Sequence, residues 1–490
     1  MLLSAPDCVA VRGVSVSPQA PPPARRKPHV LIVMLDQLRA DSLGCAGHPV
    51  IRTPAIDAMA AQGLRFTGVH TVSPVCQPSR VSFATGRYPH NHGIWYNRGE
   101  LPVNYPTFFT ALRDAGYASA VVGKSHLWSH KRVAHLRDGE PYLQALGFDE
   151  VDEVGGPRGT CSTDSGYSDH LRGKGLWELF VADTNERVAD PTITRPAPFD
   201  EHDHMDGYVG GRAVQCVEAF PDDRPTCLFV NFPGPHDPWD APGRWAAMYD
   251  PADSPPPIPL PPRPPTLPDH AAAKLDFQPE PGLTPKAVAA IRANYGGKVS
   301  FVDHWCRRIF DAYAARGWLD DLLVVVTSDH GEMAGDHGRV YKRTFHESAL
   351  RVPLIMRWPG RIPHGTRAAP AENIDVMPTV LEAIGVPQPP MSLGRSLLPV
   401  ISDPRAQHRG DLLSEIYYGG SRNAMLKTER HKYVIDQQGR GYMLYDLGQD
   451  PDEQHNLIGA PEARALEQAM RDALLVRLAA SSYVMDSVNL

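Results

Sequence analysis

The 490-residue chain lacks any apolar run of the length a membrane span needs. Its seven cysteines (Cys8, Cys45, Cys76, Cys161, Cys216, Cys227 and Cys306) are odd in number, scattered and without a C-x-x-C pair. That pattern argues against a disulfide framework or a structural zinc site and fits a reducing compartment. An excess of one charge sign is also missing: 49 Lys and Arg against 56 Asp and Glu leave a formal charge of −7, which gives no reason to expect nucleic acid or an anionic membrane as partner. Residues 1–28 carry several prolines and Arg25-Arg26-Lys27 but no continuous apolar core, so they do not read as a secretory signal. They are expected to form a disordered leader on a cytoplasmic protein, with export the alternative if the true N-terminus differs. No internal repeat is evident, and the length accommodates one large α/β domain and a smaller one.

What is present is a set of four apolar, β-rich runs, each ending on polar residues capable of chemistry. Residues 29–35 (HVLIVML) end on Asp36-Gln37, residues 117–123 (YASAVVG) on Lys124 and His126, residues 226–232 (TCLFVNF) lead to His236, and residues 322–328 (LLVVVTS) end on Asp329-His330. Continuous runs of this kind predict strands buried on both faces, hence a largely parallel sheet covered by helices. Helix signals lie between them. Thr53-Pro54 reads as an N-cap with Pro at the first helical position, opening a helix through Ala61. A second helix is predicted over 107–115, and a long one from Lys286 with Val299, Val302, Cys306, Ile309 and Tyr313 on one stripe, ending at Gly317. Ligands of such sheets sit beyond the carboxyl ends of the strands, so the four polar endings are predicted to converge on one edge. Residues 251–268 form a proline-dense surface connection. Alternating runs within 433–445 predict antiparallel hairpins, and residues 461–478 a helix. The predicted organisation is a leader over 1–28, a catalytic domain over 29–402 and a C-terminal antiparallel-sheet subdomain over 403–490.

The pentapeptide Cys76-Gln77-Pro78-Ser79-Arg80 lies just ahead of a helix predicted over 80–85 and stopped by Gly86. Unpaired backbone N–H groups and the positive end of the helix dipole make such a start an anion site, and Arg80 adds a planar fork of donors suited to oxyanions. Asp36, Gln37, Asp329 and His330 form a candidate metal site. Three oxygen-bearing ligands suit a hard divalent cation, and the imidazole widens the choice. Each of these residues alone has an ordinary reading. An Asp at a strand end is usually a turn or helix cap, and a Lys after a strand a solvated charge. Asn97 beside Gly99 serves a turn as readily as an anion. Trp239 reads as packing, and His90 and His92 as shaping the loop after the cysteine helix. Weight comes from the pairs occurring together, with Cys76 between them in sequence.

The ordered set resembles the type I sulfatases. The family order is matched by Asp36-Gln37, Cys76 to Arg80 as C-x-P-S-R, Gly123-Lys124-Ser125-His126, His236-Asp237-Pro238-Trp239 and Ser328-Asp329-His330-Gly331-Glu332, with Arg351-Val352-Pro353-Leu354-Ile355 and Leu444-Tyr445-Asp446 beyond. The likeness covers residues 30–456. It implies an alkaline-phosphatase-like α/β fold and hydrolysis of small-molecule sulfate esters, arylsulfatase fashion. It implies conversion of Cys76 to formylglycine (3-oxoalanine) by a formylglycine-generating enzyme, and one divalent ion, Ca2+ or alternatively Mn2+, on Asp36, Gln37, Asp329 and His330. Carried over residue by residue, the hydrate of residue 76 attacks sulfur and Arg80 orients it. Lys124, Lys342 and Asn97 hold the sulfate oxygens, with Lys342 assigned only by its distance past Asp329-His330. His236 protonates the leaving oxygen, and His126 takes a proton from the second hydroxyl so that sulfate is expelled. Gln37 and His330 depart from the Asp and Asn of many sulfatases, which moves the balance from calcium toward manganese. The same combination occurs in the branch with choline sulfatases and phosphonate monoester or phosphodiester hydrolases. The phosphonate hydrolases there lack the Lys124–His126 pair, so its retention favours sulfate over phosphorus. A non-catalytic binding protein on this fold is the least favoured reading, because every expected catalytic position is filled. Oligomeric state and the alcohol part of the substrate are not legible.

Overall fold

The computed structural model describes residues 27–482, so the leader expected over 1–28 lies, apart from its last two residues, outside them. The strands are β1 (His29–Asp36), β2 (Leu64–Phe66), β3 (Val69–His70), β4 (Ala118–Gly123), β5 (Glu150–Glu153), β6 (Thr226–Pro235), β7 (Leu322–Ser328), β8 (Leu354–Arg357), β9 (Gly365–Arg367) and β10 (Ala371–Glu372), followed by β11 (Asp411–Tyr418), β12 (Ser421–Thr428), β13 (His431–Asp436) and β14 (Gly441–Asp446). Eight of them form one sheet in the order β5-β4-β6-β1-β7-β8-β2-β9. The first five are mutually parallel, with Val30 opposite Cys227 on one side and Leu323 on the other. β8 runs antiparallel to both neighbours.

The four strands predicted from apolar runs are therefore adjacent and parallel, as β4-β6-β1-β7. Two-sided burial explains the runs. Leu31, Val33 and Leu35 enter one core cluster with Val299, Val302 and Ile309 of the long helix Pro285–Ala315. Val30, Ile32 and Met34 enter another with Phe83, Phe108 and Val380 on the opposite face. Each such side chain contributes about 1.5–3 kcal/mol on burial, and no position of β1 faces solvent.

Two local expectations are corrected. The helix predicted over 80–85 begins four residues earlier, as Cys76–Thr85. Pro78 does not delay it, because a proline in the first turn has no hydrogen bond to lose. Gly86 closes the helix in the left-handed region at φ 68°. Thr53 stands at the N-cap position of the helix Pro54–Ala61 without capping it. Its hydroxyl serves Asp57 and the Gly44 N–H, while Asp303 of the long helix accepts from the Ala55 and Ile56 N–H groups.

The hairpin expected within 433–445 is β13–β14, and β11 and β12 extend it to a four-stranded antiparallel sheet. The final helix, Arg464–Ser481, follows a one-turn element at Pro461–Ala463 and buries Met470 and Leu474 against this sheet.

Candidate active site

The carboxyl ends of four parallel strands bring the polar endings together. At the end of β1 the register against β6 shifts between Leu35 and Asp36, and Gln37 takes a left-handed turn at φ 71°. Asp329 and His330 follow β7 directly, and Lys124 follows β4. That last turn requires glycine. Gly123 has φ 98°, and a Cβ there would stand 2.0 Å from the Asn231 carbonyl oxygen. Cys76 occupies the first position of its helix, with Val75 as N-cap.

Cys76 Sγ lies 3.2 Å from His330 Nε2, 3.8 Å from Asp36 Oδ1 and 3.8 Å from Lys124 Nζ. One ligand atom from each of Asp36, Cys76, Asp329 and His330 falls within 4.8 Å of the others, and all four residues are buried. Arg80 threads beneath them. Its Nε donates to Asp329 Oδ2 at 2.8 Å, Nη2 reaches Asp36 Oδ2 at 3.3 Å, and Nη1 donates to Asn231 Oδ1 at 2.9 Å. Lys124 makes a close ion pair with Asp36. Two buried carboxylates, an imidazole and a sulfur aimed at one point are a donor set that fits a divalent cation. Gln37 is engaged on either side: its amide nitrogen donates to Glu332, its amide oxygen accepts from Lys342, and its backbone N–H donates to Asp329 Oδ1 at 3.0 Å.

The electrostatics follow from this crowding. Burial and the sulfur of Cys76 push the Asp36 carboxyl up, but Lys124, His236 and Arg80 outweigh them and hold it below the ordinary carboxylate range. Burial likewise opposes ionisation of Cys76, yet Lys124, Lys342 and His330 pull the thiol well below its ordinary value. Burial lowers His126 to about 4, with contact to Cys76 resisting and Lys124 assisting. Burial raises Glu332 to about 8 against the N–H groups of Ala334 and Tyr341 that it accepts.

Above this floor opens a cleft of about 410 Å³ whose lining includes Cys76, Asn97, Lys124, His126, His236 and Lys342. His236 Nδ1 donates to the Asp237 carbonyl at 2.6 Å, and its Nε2 accepts from Lys342 at 2.5 Å. Asn97 Oδ1 accepts the Gln77 N–H at 3.0 Å, serving the first turn of the cysteine helix. His126 sits at φ 50°, its N–H on Glu153. All ten remaining predicted site residues therefore lie around Cys76. Trp239 is buried and stacked on Tyr341, and His90 and His92 bond Glu415 and Ser82 away from the cleft.

Several neighbours escaped sequence reading. Asn231 had a signal, being the one polar residue inside an apolar strand. Glu332 stood in a quoted motif without a role. Arg158, which pairs with Asp237 at 2.6 Å on the rim, comes from an irregular segment and carried no signal.

The family model described as Sulfatase matches residues 28–386, and the one described as N-sulphoglucosamine sulphohydrolase, C-terminal, matches residues 335–480. The chain belongs to the sulfatase family. As a member it is a sulfuric ester hydrolase. It is 27% identical over 469 residues to an arylsulfatase of Clostridium perfringens, covering 92% of this chain and 94% of that one. It is 28% identical over 472 residues to a choline-sulfatase of Rhizobium meliloti, covering 91% and 86%. Its fold is similar to that of a phosphonate monoester hydrolase of Agrobacterium radiobacter, with a TM-score of 0.78 over 93% of this chain and 96% of that one, at 24% identity. That last likeness speaks for the fold alone. No helix among the described residues is long and apolar enough to cross a membrane.

Proposed function

We propose that this sulfatase hydrolyses sulfate monoesters with a nucleophile derived from Cys76, after oxidation of the thiol by a formylglycine-generating enzyme. The observation that carries the reading is the meeting of Cys76 with Asp36, Asp329 and His330 within 4.8 Å, under a rim of Lys124, His126, His236 and Lys342. The aldehyde of residue 76 would supply, as its hydrate, two hydroxyl groups, one to attack sulfur and one to expel sulfate afterwards. A divalent ion, calcium or alternatively manganese, held by Asp36, Gln37, Asp329 and His330 would polarise the sulfuryl oxygens. Everything else falls to side chains already in place. Lys124 and Lys342 offer two positive charges to the oxygens of the ester, where charge builds in the transition state. Gln37 and His236 together orient Lys342. His236 donates its Nδ1 proton to a carbonyl and turns Nε2 toward the cleft; a further proton carried on Nε2 would pass to the leaving oxygen. His126, neutral near pH 7 with its pKa at about 4, can take a proton from residue 76. Arg80 holds both carboxylates and so fixes the floor.

The test begins with the intact mass of the peptide spanning residue 76 and elemental analysis of the purified protein. Replacement of sulfur by oxygen at that position, with about one calcium or manganese per chain, is the expected result. Next, kcat/KM is compared on matched phenyl sulfate and phenylphosphonate esters. A larger value for the phosphonate ester would reverse the assignment to sulfur, and an unmodified thiol in fully active enzyme would remove the nucleophile.

A further inference from the structure

A second cavity, of about 200 Å³, opens beside the catalytic cleft. Its walls are the proline-dense connection (Leu260, Pro262), the segment that follows it (Leu275, Phe277), and the C-terminal sheet with its approach (Phe345, Met443). Arg339, Arg343 and Tyr418 line both spaces, so the two adjoin across these three side chains. The site chemistry described above uses none of these walls.

We propose that this cavity receives the alcohol part of the substrate, and that the alcohol is a flat, hydroxylated ring of the aryl type. The inference rests on reading the cleft as a sulfate-ester site and adds the class of ester. Three observations support it. The first is that three separate segments each contribute apolar side chains to the lining, which suits a ring. The second is a pair of buried polar groups that the protein leaves without partners among the described residues. His337 is 2% exposed, stands at φ 53° and stacks on His346 with centroids 4.0 Å apart, yet neither ring nitrogen has a hydrogen bond. Burial lowers it to about 4, so the ring is neutral and offers one donor and one acceptor. Asn423 donates to the Ser421 carbonyl at 2.9 Å, while its own Oδ1 is buried with no donor. Buried groups of this kind are normally satisfied, and a hydroxyl on the ring can serve either. The lining also holds Asp276, Thr344, Gln454 and Asn456, but its exposed surface is more apolar than polar, which favours an aromatic ring over a sugar.

The third observation is charge. Arg339 is paired with Asp276, but Arg343, over the Tyr96 ring at 5.3 Å, has no carboxylate partner among the described residues. A cation at the junction repels a quaternary ammonium alcohol, however many aromatic rings surround it.

The first test is direct binding of 2,6-dihydroxynaphthalene to the purified full chain, followed by its own fluorescence. Saturable binding at one site per chain is expected, tighter than that of 2-naphthol. Ala273→Trp fills the exposed mouth and Phe277→Ala removes a wall; each should weaken it about tenfold. Asn423→Leu should abolish the preference for the diol over 2-naphthol. No saturable binding, binding indifferent to Ala273→Trp and Phe277→Ala, or stronger competition from methyl N-acetylglucosaminide than from 2-naphthol would overturn the proposal. The second test is kinetic: Ala273→Trp should lower the ratio of kcat/KM for 6-hydroxy-2-naphthyl sulfate over phenyl sulfate by about tenfold, and an unchanged ratio overturns the proposal. The two readings fail separately. Turnover of phenyl sulfate without diol binding removes the cavity's role and spares the sulfate reading. Diol binding without turnover of any sulfate ester removes the sulfate reading and spares the cavity.

Discussion

Cys76 shows how much a single residue depends on what surrounds it. Alone it is one of several buried cysteines; Cys227 and Cys306, equally buried, have their thiols pushed up by burial in apolar surroundings. At position 76 the same desolvation is overcome by Lys124, Lys342 and His330, and the sulfur faces carboxylates instead of aliphatic carbon. Cys76→Ala should therefore abolish turnover and leave the fold intact, with a stability change within about 1 kcal/mol by denaturant unfolding. Turnover comparable to that of the parent would remove the nucleophile assigned here. The residues that proved legible, such as Asp36, Asp329 and Lys124, are those at the ends of apolar runs, where a polar side chain breaks a pattern. Glu332 was not, because its importance lies in accepting from Gln37 and two backbone N–H groups across a loop. Nothing in the spacing of a sequence records such a meeting.

At the scale of the element, periodicity was a reliable guide to strands buried on both faces and a poorer one to helix ends. The helix Pro54–Ala61 illustrates the reason. Thr53 occupies the capping position, but the cap is made by Asp303, far away in sequence. Burial raises Asp303 to about 7, against the two N–H donors that favour its charged form. A carboxyl whose folded pKa exceeds its unfolded value holds a proton in the native state that the unfolded chain has released. Its contribution is complete below about pH 4 and falls as pH rises toward 7. Asp303→Ala should cost about 1–2 kcal/mol at pH 5 and less at pH 8. Denaturant midpoints at the two pH values measure this, and a larger cost at pH 8 contradicts the assignment.

At the scale of the whole molecule, the site is a joint product of the large sheet and the C-terminal sheet. Tyr418, at the end of β11, lines the same cleft as Cys76. A buried ionic cluster binds the two parts. Arg409 donates from Nε to Asp375 at 2.7 Å and reaches Glu372 at 3.1 Å. Glu372 also accepts the Leu413 N–H of β11 and lies 3.3 Å from Arg477 of the final helix. Arg409→Leu leaves two buried carboxylates short of their main partner and should cost about 3–5 kcal/mol, read as a fall in denaturant midpoint. Burial opposes the charge on Asp375, but Arg409 and His408 hold it below the ordinary carboxylate range. The stability it contributes is present above about pH 4 and lost as pH falls below that. The parent should therefore lose stability on acidification more steeply than Arg409→Leu; equal slopes would show the pair to be unimportant.

The sequence by itself determined the parallel core, the family and the edge at which chemistry gathers, because apolar runs, their polar endings and the order of motifs are local and repeat along the chain. Only the tertiary structure decided that Arg80 spans both carboxylates, that Gln37 joins Glu332 to Lys342, and that the proline-dense connection and the C-terminal sheet wall a second cavity. Those facts depend on side chains brought together across hundreds of residues. Hydrogen-bond geometry and burial are properties of that meeting and leave no mark in composition or period.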